Sequence, residues 1–175
     1  MAVWSSVEIE AVLGSNRIDA DYFKPHDLEV IREIKASGGR ELGNIATILT
    51  GRTPNDYADD GSLSVARSGD LVSPLIYPSC ERPFLRAHPS RDRTALQKGD
   101  VLISSIGMGS IGKISLVVDP TNMITVSEVT VLRNAQVPPE FLFAYLASPT
   151  GQSQIEREIT GATGQQHLLK SKAAR

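Results

Sequence analysis

The stretch Lys98-Gly99-Asp100-Val101-Leu102-Ile103-Ser104-Ser105-Ile106-Gly107-Met108-Gly109-Ser110-Ile111-Gly112-Lys113-Ile114-Ser115-Leu116-Val117-Val118 constrains the fold more than any other part of the chain. It satisfies two phosphate-binding patterns. Gly107, Gly109 and Gly112 match G-x-G-x-x-G, and Gly107 to Lys113 match the opening of G-x-x-x-x-G-K-[ST]. Both patterns need an apolar strand before the loop and a helix after it, because the helix N-terminus supplies the N–H groups that hold phosphate. Val101 to Ile106 reads as the strand. The segment after Lys113 does not read as a helix. Ile114, Leu116, Val117 and Val118 are apolar and partly β-branched, and Asp119-Pro120 stops them. Ile114 also stands where the second pattern needs a Ser or Thr for magnesium. The expectation is a glycine-rich connection between two strands, with Lys113 at its end. A nucleotide-binding loop is the alternative, and a helix behind Lys113 would decide for it.

The flanking sequence extends this into a mixed domain. Ser5-Ser6-Val7-Glu8 has the form of a capping box, with a short apolar pattern to Leu13 that Gly14-Ser15-Asn16 ends. Arg17 to Phe23 is read as extended or irregular. Pro25 opens a helix through Leu28, Ile31 and Ile34, and Gly38-Gly39 closes it. Leu42 to Leu49 is expected as a helical turn or strand feeding a loop. Residues 51–61 are turn chemistry. Ser62 to Arg67 alternates as a half-buried strand does, and Ser68-Gly69-Asp70 turns the chain. Residues 73–99 hold Pro74, Pro78, Pro83 and Pro89, and predict a long irregular connection with one short strand near Leu75 to Tyr77. A single strand is expected from Ile124 to Leu132. Pro138-Pro139 opens a helix with Phe141, Leu142, Tyr145 and Leu146 on one face, and a second helix is expected from Gln152 to Ile159. The sum is α+β: one mixed globular domain with a central set of short, mostly antiparallel strands, short helices at both ends and long polar loops. Trp4, Phe141, Phe143 and Tyr145 are expected in the core, and Tyr57 is expected to pack rather than stack.

The 175 residues suit one domain, and 41% hydrophobic residues suffice for a core. No apolar run approaches the ~20 residues that a membrane helix needs. The N-terminus lacks the basic start and apolar stretch of a signal peptide. Cys80 is the single cysteine, which excludes an internal disulfide or a cysteine zinc cluster and suits a reducing, cytoplasmic setting. His26, His88 and His167 lie far apart without metal-ligand spacing. The net charge of −2 argues mildly against nucleic acid. Its distribution qualifies that. Arg82, Arg86, Arg91, Arg93 and Lys98 face only Glu81 and Asp92 between residues 79 and 98, and the tail carries Lys170, Lys172 and Arg175. For 79–98 a phosphate-facing surface is the sharper reading, and for the tail a solvated end is preferred. No Ser sits in a G-x-S-x-G turn, no D/E-x-K nuclease pattern follows an acidic strand end, and Asp59-Asp60 reads as a solvated loop pair. Together these absences favour a binding module over an enzyme, with no metal or cofactor.

An ordered series of short motifs then carries a resemblance. It runs Arg17-Ile18-Asp19-Ala20-Asp21-Tyr22-Phe23-Lys24-Pro25, Leu42-Gly43-Asn44-Ile45-Ala46, Gly51-Arg52-Thr53-Pro54, Tyr57 with Asp60-Gly61, and Val65-Ala66-Arg67-Ser68-Gly69-Asp70-Leu71. Gly99-Asp100-Val101-Leu102-Ile103-Ser104, Ile111-Gly112-Lys113, Phe141-Leu142-Phe143-Ala144-Tyr145-Leu146, Ser148, Gly151-Gln152 and Gly164-Gln165-Gln166-His167-Leu168 complete it. The series resembles the target recognition domain of the specificity (S) subunit of type I restriction-modification enzymes, over nearly the whole chain. The resemblance implies a mixed α/β fold and a non-catalytic role. Such a subunit reads double-stranded DNA for a modification (methyltransferase) subunit and, through it, a restriction subunit. The modification subunit, not this one, binds S-adenosylmethionine. The resemblance divides the chain into a recognition domain over 1–164 and the start of a spacer region over 165–175. A family member carries two recognition domains joined by long helices. This sequence holds one and stops at Ala173-Ala174-Arg175, as a fragment, a truncated product or a half-subunit would.

The resemblance and the chemistry of base and phosphate recognition together nominate DNA-contacting residues. Arg52 and Thr53 precede Pro54 on a loop, and a salt bridge from Arg52 to Asp59 or Asp60 is the competing role. Arg67 and Ser68 end a strand at a turn, where Arg67 either enters a groove or bonds Asp70. Arg91 and Arg93 lie in the long loop, facing phosphate or solvent. Lys113 is a phosphate anchor or a lysine at a hairpin end. Gln165, Gln166 and His167 approach DNA or cap a helix. Cys80 is expected to be inert. Two other functions stay open: a small nucleotide-binding enzyme using Gly107 to Lys113, and a protein-interaction module with no DNA affinity of its own.

Overall fold

The chain's structure, a computed structural model, describes residues 4–78, 84–89, 94–107, 109–160 and 167–168. Among these, α1 (Ile9–Ser15) and α2 (Pro25–Ala36) come first, then a 3-10 turn over Leu42–Asn44. Next are β1 (Thr47–Thr50), β2 (Leu63–Ala66), a second 3-10 turn over Ser68–Asp70, β3 (Leu75–Ile76), β4 (Leu85–Ala87) and β5 (Thr94–Ala95). β6 (Val101–Ser104), β7 (Ile114–Val117), β8 (Met123–Thr125) and β9 (Val129–Arg133) follow, then α3 (Pro139–Ala147), α4 (Pro149–Glu158), β10 (Ile159–Thr160) and β11 (His167–Leu168).

The glycine-rich bend joins two strands. β6 and β7 pair antiparallel with Leu102 opposite Ser115, and β7 starts directly after Lys113. A phosphate cradle at this bend would need a helix there, and the chain is extended instead. Every residue of β6 and β7 is buried, so these strands are covered on both faces. They sit inside a five-stranded sheet ordered β1-β9-β6-β7-β3, in which only β3 and β7 run parallel. A four-stranded sheet, β4-β2-β8-β5, has one parallel pair, β2 with β8.

Side-chain alternation sorts these strands into layers. Leu102, Val117, Val129 and Val131 of the first sheet share a core with Val65, Ala66, Met123 and Ile124 of the second. Val101, Ile103, Ile114, Leu116 and Leu132 point the other way, against Leu142 and Leu146 of α3 and Ile155 of α4. The architecture is therefore α+β in three layers, helix on sheet on sheet. Asp100, 1% exposed, anchors the start of β6: it accepts Arg133 Nε at 2.8 Å, Arg133 Nη2 at 2.7 Å and the Gln97 N–H at 2.7 Å. The N-terminal segment is pinned to the end of α4 through Tyr22. Its ring lies under the Arg157 guanidinium at 3.6 Å and the Arg17 guanidinium at 4.8 Å, and its carbonyl accepts Arg157 Nε at 2.8 Å.

Several local expectations are corrected. The Ser5 capping box does not form, because the Ser5 hydroxyl donates to the Phe23 carbonyl at 2.6 Å and α1 begins at Ile9 without a side-chain cap. β2 is buried through Ser64, Val65 and Ala66 rather than half-buried, with Val65 and Ala66 in the core that the two sheets share. The 73–99 connection contains β4 and β5 besides β3. The apolar run 124–132 is two strands: it bends at Val126, where the Val129 N–H bonds the Val126 carbonyl at 3.1 Å, and passes from one sheet to the other. α4 starts at Pro149, not Gln152, because the Ser148 hydroxyl caps it by accepting the Gly151 N–H at 3.2 Å. Trp4 and Phe141 are exposed, at 80% and 61%, whereas Phe143 and Tyr145 pack against the helix-side core. Phe141 instead stacks on Tyr145 one turn along α3. Among the described residues no helix is long and apolar enough to cross a membrane.

Candidate nucleic-acid interface

Three chain segments converge where the two sheets exchange strands. The first leaves β1. A Cβ at Gly51 would stand 2.0 Å from the Val126 carbonyl oxygen, so only glycine lets the backbone cross here. Two backbone bonds fix the crossing, Gly51 N–H to the Val129 carbonyl at 3.1 Å and Arg52 N–H to the Thr125 carbonyl at 3.0 Å. This sets Thr53 over the second segment, the β8–β9 connection. Thr53 Oγ1 accepts the Ser127 N–H at 3.1 Å and lies 2.7 Å from Ser127 Oγ and 3.3 Å from Glu128 Oε2. Ser127 Oγ also donates to Glu128 Oε2, at 3.2 Å. The two hydroxyls share two protons among these three contacts, and the pair together ties one oxygen of the Glu128 carboxylate to the crossing.

The third segment is the turn after β2. Asp70 is buried and folds back to accept the Arg67 N–H at 2.9 Å, Arg67 Nε at 3.1 Å and Arg67 Nη2 at 3.3 Å. The Asp70 carboxylate raises the pKa of the Arg67 guanidinium above its usual value, chiefly through these side-chain hydrogen bonds. The Arg67 side chain is still 42% exposed, so its outer face is open to a ligand. The glycine bend approaches this turn at Ser68. Gly107 has φ 126°, and a Cβ there would meet Ser110 Oγ at 2.5 Å and Ser68 Oγ at 3.8 Å.

Between these segments lies a cleft of about 560 Å³, lined by Thr53, Tyr57, Arg67, Ser68, Gly69, Asp70, Val126 and Glu128. Thr53, Arg67 and Ser68, nominated from separate stretches of sequence, share it. Tyr57 lines it too and is 44% exposed rather than packed away. Arg52 is exposed on the adjoining loop, outside the lining, and Asp60, one of its candidate partners, lies 3.4 Å from His88 Nε2. Lys113 is half-buried at the far end of the bend and does not line the cleft. Gly112 before it faces α4, accepting the Gln152 side-chain amide at 3.1 Å. Arg91, Arg93, Gln165 and Gln166 lie outside the described residues, as does Cys80. His167 is described as the backbone partner of Thr160 in β11.

Sequence reasoning missed Glu128 and Ser127 as parts of the site and named Asp70 only as a partner for Arg67, a bond the structure shows. Asp70 carried a signal, since an Asp three residues after Arg67 closes a tight turn. Glu128 carried none, because it sits inside what reads as one strand. The lining holds one guanidinium against two carboxylates, so it is not a phosphate-binding concavity. It presents a mixture of donors and acceptors, which suits the edges of polar planar groups. Among the described residues no cluster of three or more His, Cys, Asp and Glu side chains gathers to hold a metal.

No family model matches the chain, and no curated protein does. Solved structures do. The S subunit of a type I restriction-modification system from M. genitalium is similar at a TM-score of 0.55 and 17% identity, over 78% of this chain and 32% of that one. An HsdS subunit from Thermoanaerobacter tengcongensis follows at 0.49 and 18%, over 77% of this chain and 33% of that one. The chain thus spans about a third of the length of these subunits. Over the matched part, it has the fold of a type I restriction-modification S subunit.

Proposed function

We propose that the chain is a non-catalytic DNA-recognition module of a type I restriction-modification specificity subunit. It reads double-stranded DNA for a modification subunit and, through it, a restriction subunit, in the cytoplasm. The observation that carries this reading is the convergence of Thr53, Arg67 and Ser68 on one cleft whose lining mixes donors and acceptors. Base edges are recognised by such mixtures, whereas phosphates call for uniformly positive surfaces. Shared fold with an S subunit supports the same reading. Phosphate contacts are assigned to cations outside the lining: Arg52 on the adjoining loop, Lys113, and Arg91 and Arg93 of the sequence between Pro89 and Thr94. Gln165, Gln166 and His167 complete the proposed DNA-facing set.

The test is selection from a randomised duplex library by the full chain, followed by titration of the selected duplex over a range of salt. One enriched sequence is expected, with affinity falling linearly on a log–log plot against salt as counterions are released. No enrichment, or an affinity flat across salt, would overturn the proposal. Capture of a modification subunit without retarded DNA would assign the chain to protein interaction instead.

A further inference from the structure

Glu128 is the feature of the cleft that general DNA affinity does not explain. A carboxylate facing a phosphate-rich duplex weakens binding to every sequence alike, so its place in the lining calls for a compensating contact. Its geometry supplies one. Thr53 Oγ1 and Ser127 Oγ both sit on Oε2, at 3.3 and 3.2 Å, and fix the plane of the carboxylate. Oε1 has no hydrogen-bond partner among the described residues. The side chain is half-buried, so it is held in place and still reachable. It is a preset acceptor.

The four bases answer such a group differently in the major groove. Cytosine offers the N4 amino donor. Adenine places a donor beside the N7 acceptor, guanine shows two acceptors, and thymine shows an acceptor and a methyl. A lone carboxylate oxygen is satisfied by cytosine and repelled by guanine and thymine. We infer that Glu128 is a specificity-determining residue that reads cytosine through its N4 amino group. This rests on the DNA-recognition reading above and adds the base.

The experiment repeats the duplex selection with the full chain as wild type, Glu128→Gln, Glu128→Ala and Ser127→Ala. The wild type should enrich cytosine at one position of its site. Glu128→Gln should shift that position towards adenine, because an amide carries a donor beside its acceptor and matches N6 and N7 together. Glu128→Ala should flatten the position, with roughly tenfold or greater loss of discrimination, while affinity for unselected duplex holds or rises. Ser127→Ala, on an exposed hydroxyl, leaves the carboxylate present but less fixed and should weaken the same preference. It keeps the test open if the Glu128 variants fold poorly. A wild-type preference that survives unchanged in these variants overturns the inference and leaves DNA recognition standing. A wild type that selects no sequence overturns both.

Discussion

Replacing Arg67 and Asp70 separately and together distinguishes what this pair does for the fold from what it does for a ligand. Asp70→Ala removes a carboxylate that is 7% exposed and accepts three bonds, one of them the backbone N–H of Arg67. A hydrogen bond to a charged group contributes about 1.5–3 kcal/mol, and the N–H left behind stays desolvated, so a loss of about 2–3 kcal/mol is expected. Arg67→Ala keeps that backbone bond and removes only the guanidinium, 42% exposed and screened by water. Its ion pair is worth about 0.2–1 kcal/mol. For a chain of this length each kcal/mol moves the melting temperature by about 2–4 °C, so Arg67→Ala should cost no more than about 4 °C and Asp70→Ala about 4–12 °C. The order reverses in DNA binding. Arg67→Ala should lose about 1–3 kcal/mol, or roughly 5- to 150-fold, on the selected duplex if its outer face reads a base. Asp70→Ala, with the guanidinium unpaired, should bind unselected duplex more tightly at low salt. Calorimetric melting and fluorescence anisotropy measure the two axes, and the double variant gives the coupling. Equal destabilisation by both single variants would refute the assignment of the turn's stability to the backbone bond. An Arg67→Ala affinity within twofold of wild type would refute the ligand role.

Two further outcomes rest on buried geometry. Asp100→Ala leaves the Arg133 guanidinium, whose side chain is 15% exposed, without its two carboxylate bonds, and should cost about 3–5 kcal/mol in urea unfolding. A loss below 1 kcal/mol would mean that water replaces the carboxylate. Gly51→Ala drives a methyl into the Val126 carbonyl and should cost about 1–3 kcal/mol or more, with a matching loss of duplex affinity as Thr53 is displaced. Wild-type stability in that variant would contradict the close crossing.

What was legible in the sequence tracks how local each determinant is. The β6–β7 hairpin was readable because its apolar runs are bounded by Gly99-Asp100 and Asp119-Pro120 and because its glycines have no helix to lead into. α2 was readable from Pro25 and the spacing of Leu28, Ile31 and Ile34. β4 and β5 were not: they are three and two residues long, at the edges of a sheet, and their pairing lies in β2 and β8, outside their own sequence. The break between β8 and β9 was marked only by the polar pair Ser127-Glu128, with β-branched, strand-forming residues on both sides of it while the chain changes sheets. Phe141 misled as well. Helical spacing places it near Leu142 and Tyr145, but only tertiary packing decides which residues of α3 the sheet covers. The cleft was half legible. Thr53 and the Arg67-Ser68 pair could be nominated separately, but nothing in the fourteen-residue step from Thr53 to Arg67 says that they meet.

Their meeting has a structural cause. A chain that moves from one sheet to another must leave the ladder, and its backbone groups then need other partners. Here they find each other. Gly51 and Arg52 bond Val129 and Thr125 across the gap between sheets, and the Thr125 hydroxyl donates to the Ala66 carbonyl at 2.8 Å, just before Arg67. The backbone around the cleft is thus fixed by bonds that use few of the lining side chains' outer atoms. Position 67 projects from a turn closed by its own N–H, and position 128 from a connection fixed by the backbone bonds on either side of it. Side chains at 67, 68 and 128 can therefore vary in chemistry with smaller cost to the fold than Thr53, whose hydroxyl accepts the Ser127 N–H, or Asp70, whose carboxylate accepts the Arg67 N–H. A recognition module needs that separation, because a new target then requires changed lining residues and no new architecture.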